Sequence, residues 1–158
     1  MQPDSRRREF AFLLNDVARL LRTCADQKAR QFGMTRAQWA VLARLQRSQG
    51  LKQAELADML DLQPITLTRL LDRLSANELI ERRPDPDDRR ANRLFLTPAA
   101  GPLMERLNAL GDDLMGSVLD DIDDDAVDAT VQMLGRAKEN LRRAIQKNTD
   151  MTLSEAHG

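Results

Sequence analysis

Tyrosine is absent from this 158-residue chain, and cysteine and histidine occur once each, as Cys24 and His157. A single cysteine cannot close an internal disulfide, and one histidine beside the C-terminus leaves zinc clusters and histidine-based catalytic triads without their parts. Long apolar runs are missing too. The longest, residues 10–14 and 39–43, are five residues, too short for a membrane span or the core of a secretory signal. Neither charge is in large excess, with 24 Lys and Arg against 25 Asp and Glu, which excludes indiscriminate polybasic binding. At 42% hydrophobic and 31% charged, the composition is that of one folded domain rather than a disordered chain. The expectation is a non-enzymatic cytoplasmic protein with no cofactor, no metal and no membrane partner.

The near-zero total conceals a gradient. Residues 1–60 carry 11 basic and 6 acidic side chains, residues 61–100 carry 7 and 7, and residues 101–158 carry 6 and 12, giving +5, 0 and -6. Binding to a polyanion depends on which cations face it, so a formal charge of -1 leaves a nucleic-acid partner open.

Hydrophobic spacing divides the chain into elements. Over residues 5–32, Phe10, Leu13, Leu14, Val17, Leu21 and Cys24 recur at three- and four-residue steps on one stripe of a long helix that Gly33 ends. Thr35 and Gln38 have capping-box spacing for a second helix carrying Trp39, Leu42 and Leu45. Residues 52–60 read as a short helix with Leu56, Met59 and Leu60 inward, and residues 61–63 as a turn. Pro64, at the first-turn position proline favours, opens a helix whose buried stripe is Leu67, Leu70, Leu71 and Leu74. Beyond Asn77, residues 79–83 and 93–97 read as two strands around a charged tip at 84–92. Thr97 and Pro98 give an N-cap and first-turn signal for a helix to about Leu119, and aspartates at 120–125 lead into a last helix over about 126–147. Residues 148–158 read as a frayed tail.

A short helix, a three-residue turn, a second helix opened by proline and a charged hairpin together have the layout of a winged helix-turn-helix. With its leucines inward, helix 64–76 turns Ile65, Thr68, Arg69, Asp72 and Arg73 outward. There, short hydroxyls and arginines either meet base edges and phosphates or simply face water. Arg82, Arg83, Arg89, Arg90 and Arg93 crowd the hairpin beside Asp85, Asp87 and Asp88. Two arrangements fit: the aspartates neutralise the arginines on an ordinary hairpin, or one aspartate fixes the loop while an apical arginine stays free to enter a narrow minor groove.

The run Leu-Thr-Arg-Leu-Leu-Asp-Arg-Leu from Leu67 to Leu74, followed by residues 79–91 and Leu94-Phe-Leu-Thr97, resembles the MarR family of bacterial transcriptional regulators. Asp88, Arg90, Leu94, Leu96 and Thr97 match the family's wing motif, and the Asp-Arg-Arg-Ala form with Trp39 is most similar to its SlyA-like branch. The resemblance covers about residues 8–147. It implies a mainly α-helical fold of about six helices plus a two-stranded β-hairpin wing within a single 1–158 unit. Residues 35–97 would be the winged helix-turn-helix, and residues 5–33 and 98–147 the helices that interlock two copies into a homodimer. It further implies a repressor that binds palindromic double-stranded DNA operators. The residues assigned to DNA are Gln53, Thr66, Thr68, Arg69, Arg73, Arg89 and Arg90, with Asp88 supporting the wing.

In the SlyA-like branch, residues corresponding to Arg19, Arg22 and Trp39 line a cleft for small aromatic carboxylates or phenolic ligands whose binding releases the operator. The hydroxyl and imidazole of that cleft are replaced here by Ala37 and Ala43. Helix-surface pairing of Arg22 with Asp26 and of Arg19 with Asp16 is the alternative role for these arginines. For the chain as a whole, the alternative is a winged-helix module that docks a protein, separable from DNA binding because the latter weakens steeply with salt.

Two other signals have structural explanations. Asp121, Asp123 and Asp125 have the spacing of a calcium loop, but Ala126 stands where glycine is needed and Gln132 where a bidentate glutamate is needed. They are expected to complement a helix N-terminus. Cys24 shares its stripe with Leu14, Val17 and Leu21 and is expected as a buried, inert thiol, while the position matching the peroxide-sensing cysteine of some MarR relatives is Ala11.

Overall fold

The computed structural model describes residues 3–155, and the side chains of residues 5–148. Among these, the elements in order are α1 (Pro3–Arg30), α2 (Arg36–Arg47), β1 (Leu51–Lys52), α3 (Gln53–Leu60), α4 (Pro64–Ala76), β2 (Ile80–Pro84), β3 (Asn92–Leu96), α5 (Gly101–Val118) and α6 (Asp124–Glu155). The chain forms two compact units, Met1–Leu114 and Met115–Gly158. No helix among the described residues is long and apolar enough to cross a membrane.

Local chemistry sets the element ends in the first unit. Gly33 takes φ +65 in the turn after α1, a conformation that glycine adopts without steric cost. The expected capping box closes on α2: Gln38 N donates to Thr35 Oγ1 at 3.2 Å, and Thr35 N donates to Gln38 Oε1 at 2.9 Å. Asp61 ends α3 in the left-handed region, and Pro64 occupies the first turn of α4. This keeps the connection between the two helices to three residues.

One core unites these elements. Val41, Leu42 and Leu45 of α2, Leu56 of α3, and Leu67, Leu71 and Leu74 of α4 bury essentially all their surface. Ile80 and Leu94 from the hairpin and Met104 and Leu107 from α5 complete the cluster. The sheet runs β1-β3-β2, all antiparallel, with Ile80 opposite Leu96 and Arg83 opposite Arg93. Its third strand was not anticipated, because two residues are too few to show an alternating pattern. β1 is held by Leu51 and Lys52 opposite Leu94 and Arg93, and by Gly50 N donating to Leu94 O at 2.8 Å. Gly50 takes φ +77, and a side chain there would begin 3.2 Å from the Phe95 ring.

Other departures share a cause: periodicity marks an apolar stripe without saying what covers it. On α1, Phe10, Leu13, Leu14 and Val17 are 40–57% exposed, as suits a helix expected to interlock with a second copy, whereas Cys24, expected buried on the same stripe, is exposed. Met59, expected inward, is also exposed, and Leu70 is only half-buried. Thr97 sits at the N-cap of a 3-10 turn, Pro98–Ala100, that precedes α5, but its hydroxyl donates to the Glu78 carbonyl instead of capping. In the second unit α6 continues to Glu155, through most of the segment expected as a frayed tail. The last three residues of that segment lie outside the described residues. Asp124 and Asp125 occupy the first turn of α6, where carboxylates complement the helix dipole.

Burial makes the energetic contrast within α4 measurable. Leu71→Ala is expected to lower unfolding free energy by about 2–5 kcal/mol, whereas Ile65→Ala, at a position 61% exposed, should change it by less than about 0.5 kcal/mol. Urea denaturation of the two variants checks both values.

Candidate nucleic-acid interface

Burial of Leu67, Leu71 and Leu74 turns the other side of α4 to solvent, where Ile65, Thr66, Arg69, Asp72 and Arg73 are all exposed. Arg69 and Arg73 make no ion pair among the described residues. Thr68 differs from the expectation of an outward hydroxyl. It is half-buried, its proton goes to Pro64 O at 3.0 Å, and its oxygen accepts from Gln53 Nε2 at 2.7 Å. The structure therefore brings Gln53 and Thr68 together as a tie between α3 and α4. A Thr68 hydroxyl used this way has no second proton for a phosphate.

The hairpin sorts its five arginines by geometry. Arg82 Nη2 lies 2.7 Å from Asp72 Oδ1 and joins the wing to α4. Arg83 pairs with Glu81 and lies over the Phe95 ring, 4.2 Å from its centroid. Arg93 Nε donates to Asp85 Oδ2 at 2.8 Å. Arg89 and Arg90 remain, exposed at the tip and without an ion pair among the described residues.

Asp85 organises that tip. Its side chain has no exposed surface, and a buried carboxylate is tolerated only if donors answer it. Four do: Asp87 N at 2.8 Å, Asp88 N at 3.1 Å, Arg93 Nε at 2.8 Å and Lys52 Nζ at 3.3 Å. The Asp87 N–H bond does most to lower the Asp85 pKa from 3.8 to about 2, with Lys52 and Arg93 adding to it against the opposing effect of burial. The arginine that braces the wing, Arg93, bonds to Asp85, because residue 85 points inward and residue 88 lies at the exposed tip. Asp88 supports the loop locally, its Oδ1 accepting from Arg90 N at 3.0 Å. The sequence left open which of Asp85, Asp87 and Asp88 fixes the loop, and it held no indication of the role of Lys52. The available signal was Asp85 followed by Pro86, the residue types favoured at the first two positions of a turn in which aspartate caps the next N–H groups.

On α1, Arg19 pairs with Asp16 at 3.4 Å as the helix-surface alternative required. Asp26 does not pair with Arg22. It lies 3.3 Å from Arg36 Nε at the start of α2, because the end of α1 packs against that helix. Trp39 is half-buried against the core, and its Cζ2 is 3.7 Å from where a side chain on Gly111 of α5 would begin. Arg19 and Arg22 stay exposed on α1.

The sequence model of the MarR family matches residues 34–91, spanning α2 to the wing tip. A transcriptional regulator designated PA3341 is 33% identical to this chain; the alignment covers 85% of this chain and 98% of that one, with a TM-score of 0.76. Wild-type E. coli MarR in its apo form is 26% identical over 80% of this chain and 94% of its own, with a TM-score of 0.68. A variant of E. coli MarR solved in complex with operator DNA shares the fold at 24% identity over 87% of this chain and 99% of its own, with a TM-score of 0.67. The chain belongs to the MarR family of transcriptional regulators, and its fold is that family's winged helix-turn-helix.

The depressed pKa of Asp85 gives the wing an acid limit. A carboxylate whose folded pKa lies below its unfolded value contributes stability that is present above the unfolded value and lost as pH falls through the folded one. Between pH 3.8 and about 2, the wild-type melting temperature is therefore expected to fall more than that of Asp85→Asn, which has no carboxylate to protonate at this position. Parallel declines in the two proteins would rule out Asp85 as a contributor in that window.

Proposed function

We propose that this protein is a sequence-specific, DNA-binding repressor that acts as a homodimer on palindromic operators. The carrying observation is the division of the hairpin arginines: Arg82, Arg83 and Arg93 are engaged by Asp72, Glu81 and Asp85, while Arg89 and Arg90 stand unpaired at the tip of a braced loop. A loop arginine so presented suits a narrow minor groove. Arg69 on α4 suits a base edge in the major groove, and Thr66 and Arg73 suit the phosphates beside it. Gln53 and Thr68 act by bracing α4 against α3 rather than by touching DNA through the Thr68 proton. The operator complex of E. coli MarR supports the same class of partner here.

Dimerisation is supported by apolar surface that the single chain leaves exposed. On α1, Phe12 is 71% and Leu20 53% exposed, and on α6, Val131, Leu141 and Ile145 are 61–65% exposed. Each face is a stripe at helical spacing, and a second copy is the partner that would cover both. Arg90→Ala is expected to weaken operator affinity by about 1–3 kcal/mol per contact, and Arg69→Ala to relax sequence preference. Sedimentation equilibrium should give a dimer mass for the wild type and both variants. A reporter transcribed from an operator-bearing promoter should fall when the wild type is expressed. Undiminished operator binding by Arg90→Ala would remove the wing tip from the interface.

The regulatory reading places this chain in the SlyA-like branch, with release of the operator by a small aromatic carboxylate or phenolic ligand. Its support is the exposed Arg19 and Arg22 on α1, with Trp39 on the helix that packs against α1. A guanidinium pair suits a carboxylate, and an indole suits a ring. Salicylate is expected to quench the fluorescence of Trp39, the sole tryptophan, and to weaken operator binding over the same concentrations. Quenching that persists in the Arg19→Ala, Arg22→Ala double variant would place the ligand elsewhere.

A further inference from the structure

We propose that Ile65 reads the C5-methyl group of a thymine in the major groove, about two base steps from the base contacted by Arg69. This rests on the DNA-binding reading above and specifies its chemistry. Ile65 is 61% exposed, whereas the other large apolar side chains of α4, Leu67, Leu70, Leu71 and Leu74, are buried or half-buried. The buried leucines that fix the phase of α4 hold this isoleucine in water, where its apolar surface goes uncovered within the first unit.

Its position identifies the partner. Ile65 is the second residue of α4, and the N-terminal residues of a helix lying in the major groove are those that meet base edges. Its neighbours on the outward face are Arg69, suited to a base edge, and Arg73, suited to a phosphate, and the carboxylate of Asp72 is offset by Arg82 at 2.7 Å. An aliphatic side chain gains nothing from a phosphate or from a hydrogen-bonding base edge. The apolar feature that the major groove offers is the thymine methyl. Four residues along a helix span about 6 Å, and stacked bases on one strand repeat every 3.4 Å or so. Ile65 and Arg69 therefore reach positions about two steps apart, and an arginine in this setting favours guanine O6 and N7. The expected half-site pairs a thymine with a nearby guanine.

The test starts by selecting sequences from a pool of random duplexes with the full-length protein. Each thymine of the selected consensus is then replaced in turn by deoxyuridine, which lacks only the methyl group. At one thymine per half-site the replacement is expected to weaken wild-type binding about three- to tenfold, while Ile65→Ala binds the two duplexes equally. Ile65→Val should retain part of the preference. Tolerance of deoxyuridine at every position by the wild type, or the same preference for thymine in Ile65→Ala, would overturn the proposal while leaving DNA binding intact. Failure to enrich any sequence, with no salt-sensitive binding to any duplex, would overturn the DNA-binding reading on which it rests.

Discussion

The apolar contact between one side of α4 and the root of the hairpin sets the position of everything outward of it. Leu67, Leu71 and Leu74 share a core with Ile80 and Leu94, so helix and wing are anchored in the same close-packed cluster and cannot shift independently without opening voids. The outward face of α4 exists because the inward face is satisfied. Arg69 and Ile65 are presented by a helix whose rotation about its axis is fixed by three leucines, and the Gln53 to Thr68 hydrogen bond holds the neighbouring helix against it.

Charge then refines what packing has placed. Asp85 has no access to water and collects four donors, one of which, Lys52, comes from the short strand that leads into α3. The wing is thereby tied to the helix-turn-helix at two points, through Asp85 to Lys52 and through Arg82 to Asp72. The second tie is partly solvated, so it positions more than it stabilises. Together they explain how a loop rich in both charges presents two cations at its tip: three arginines are consumed by structure, and two are left.

Elements whose signals are local were legible in the sequence. The capping box at Thr35 and Gln38, the turn at 61–63, Pro64 opening α4, and the two hairpin strands within a residue of their ends each depend on chemistry confined to a few neighbouring residues. Features that depend on a distant partner were not. Cys24 lies on the apolar stripe of α1, yet it is exposed because that part of the stripe has no cover within the chain's first unit. β1 is defined only by its pairing with β3, more than forty residues on.

The sequence by itself determined the helical pattern, the winged helix-turn-helix order and the set of arginines from which the site is drawn, because these follow from side-chain spacing and turn chemistry along the chain. Tertiary structure alone decided which arginine meets which acid, that Asp85 gathers the donors at the base of the wing while Asp88 supports its tip, and that the Thr68 hydroxyl is spent between two helices. Those outcomes depend on distances of about 3 Å between residues far apart in sequence. At that range the geometry imposed by the packed core decides which of several equally plausible partners forms the bond.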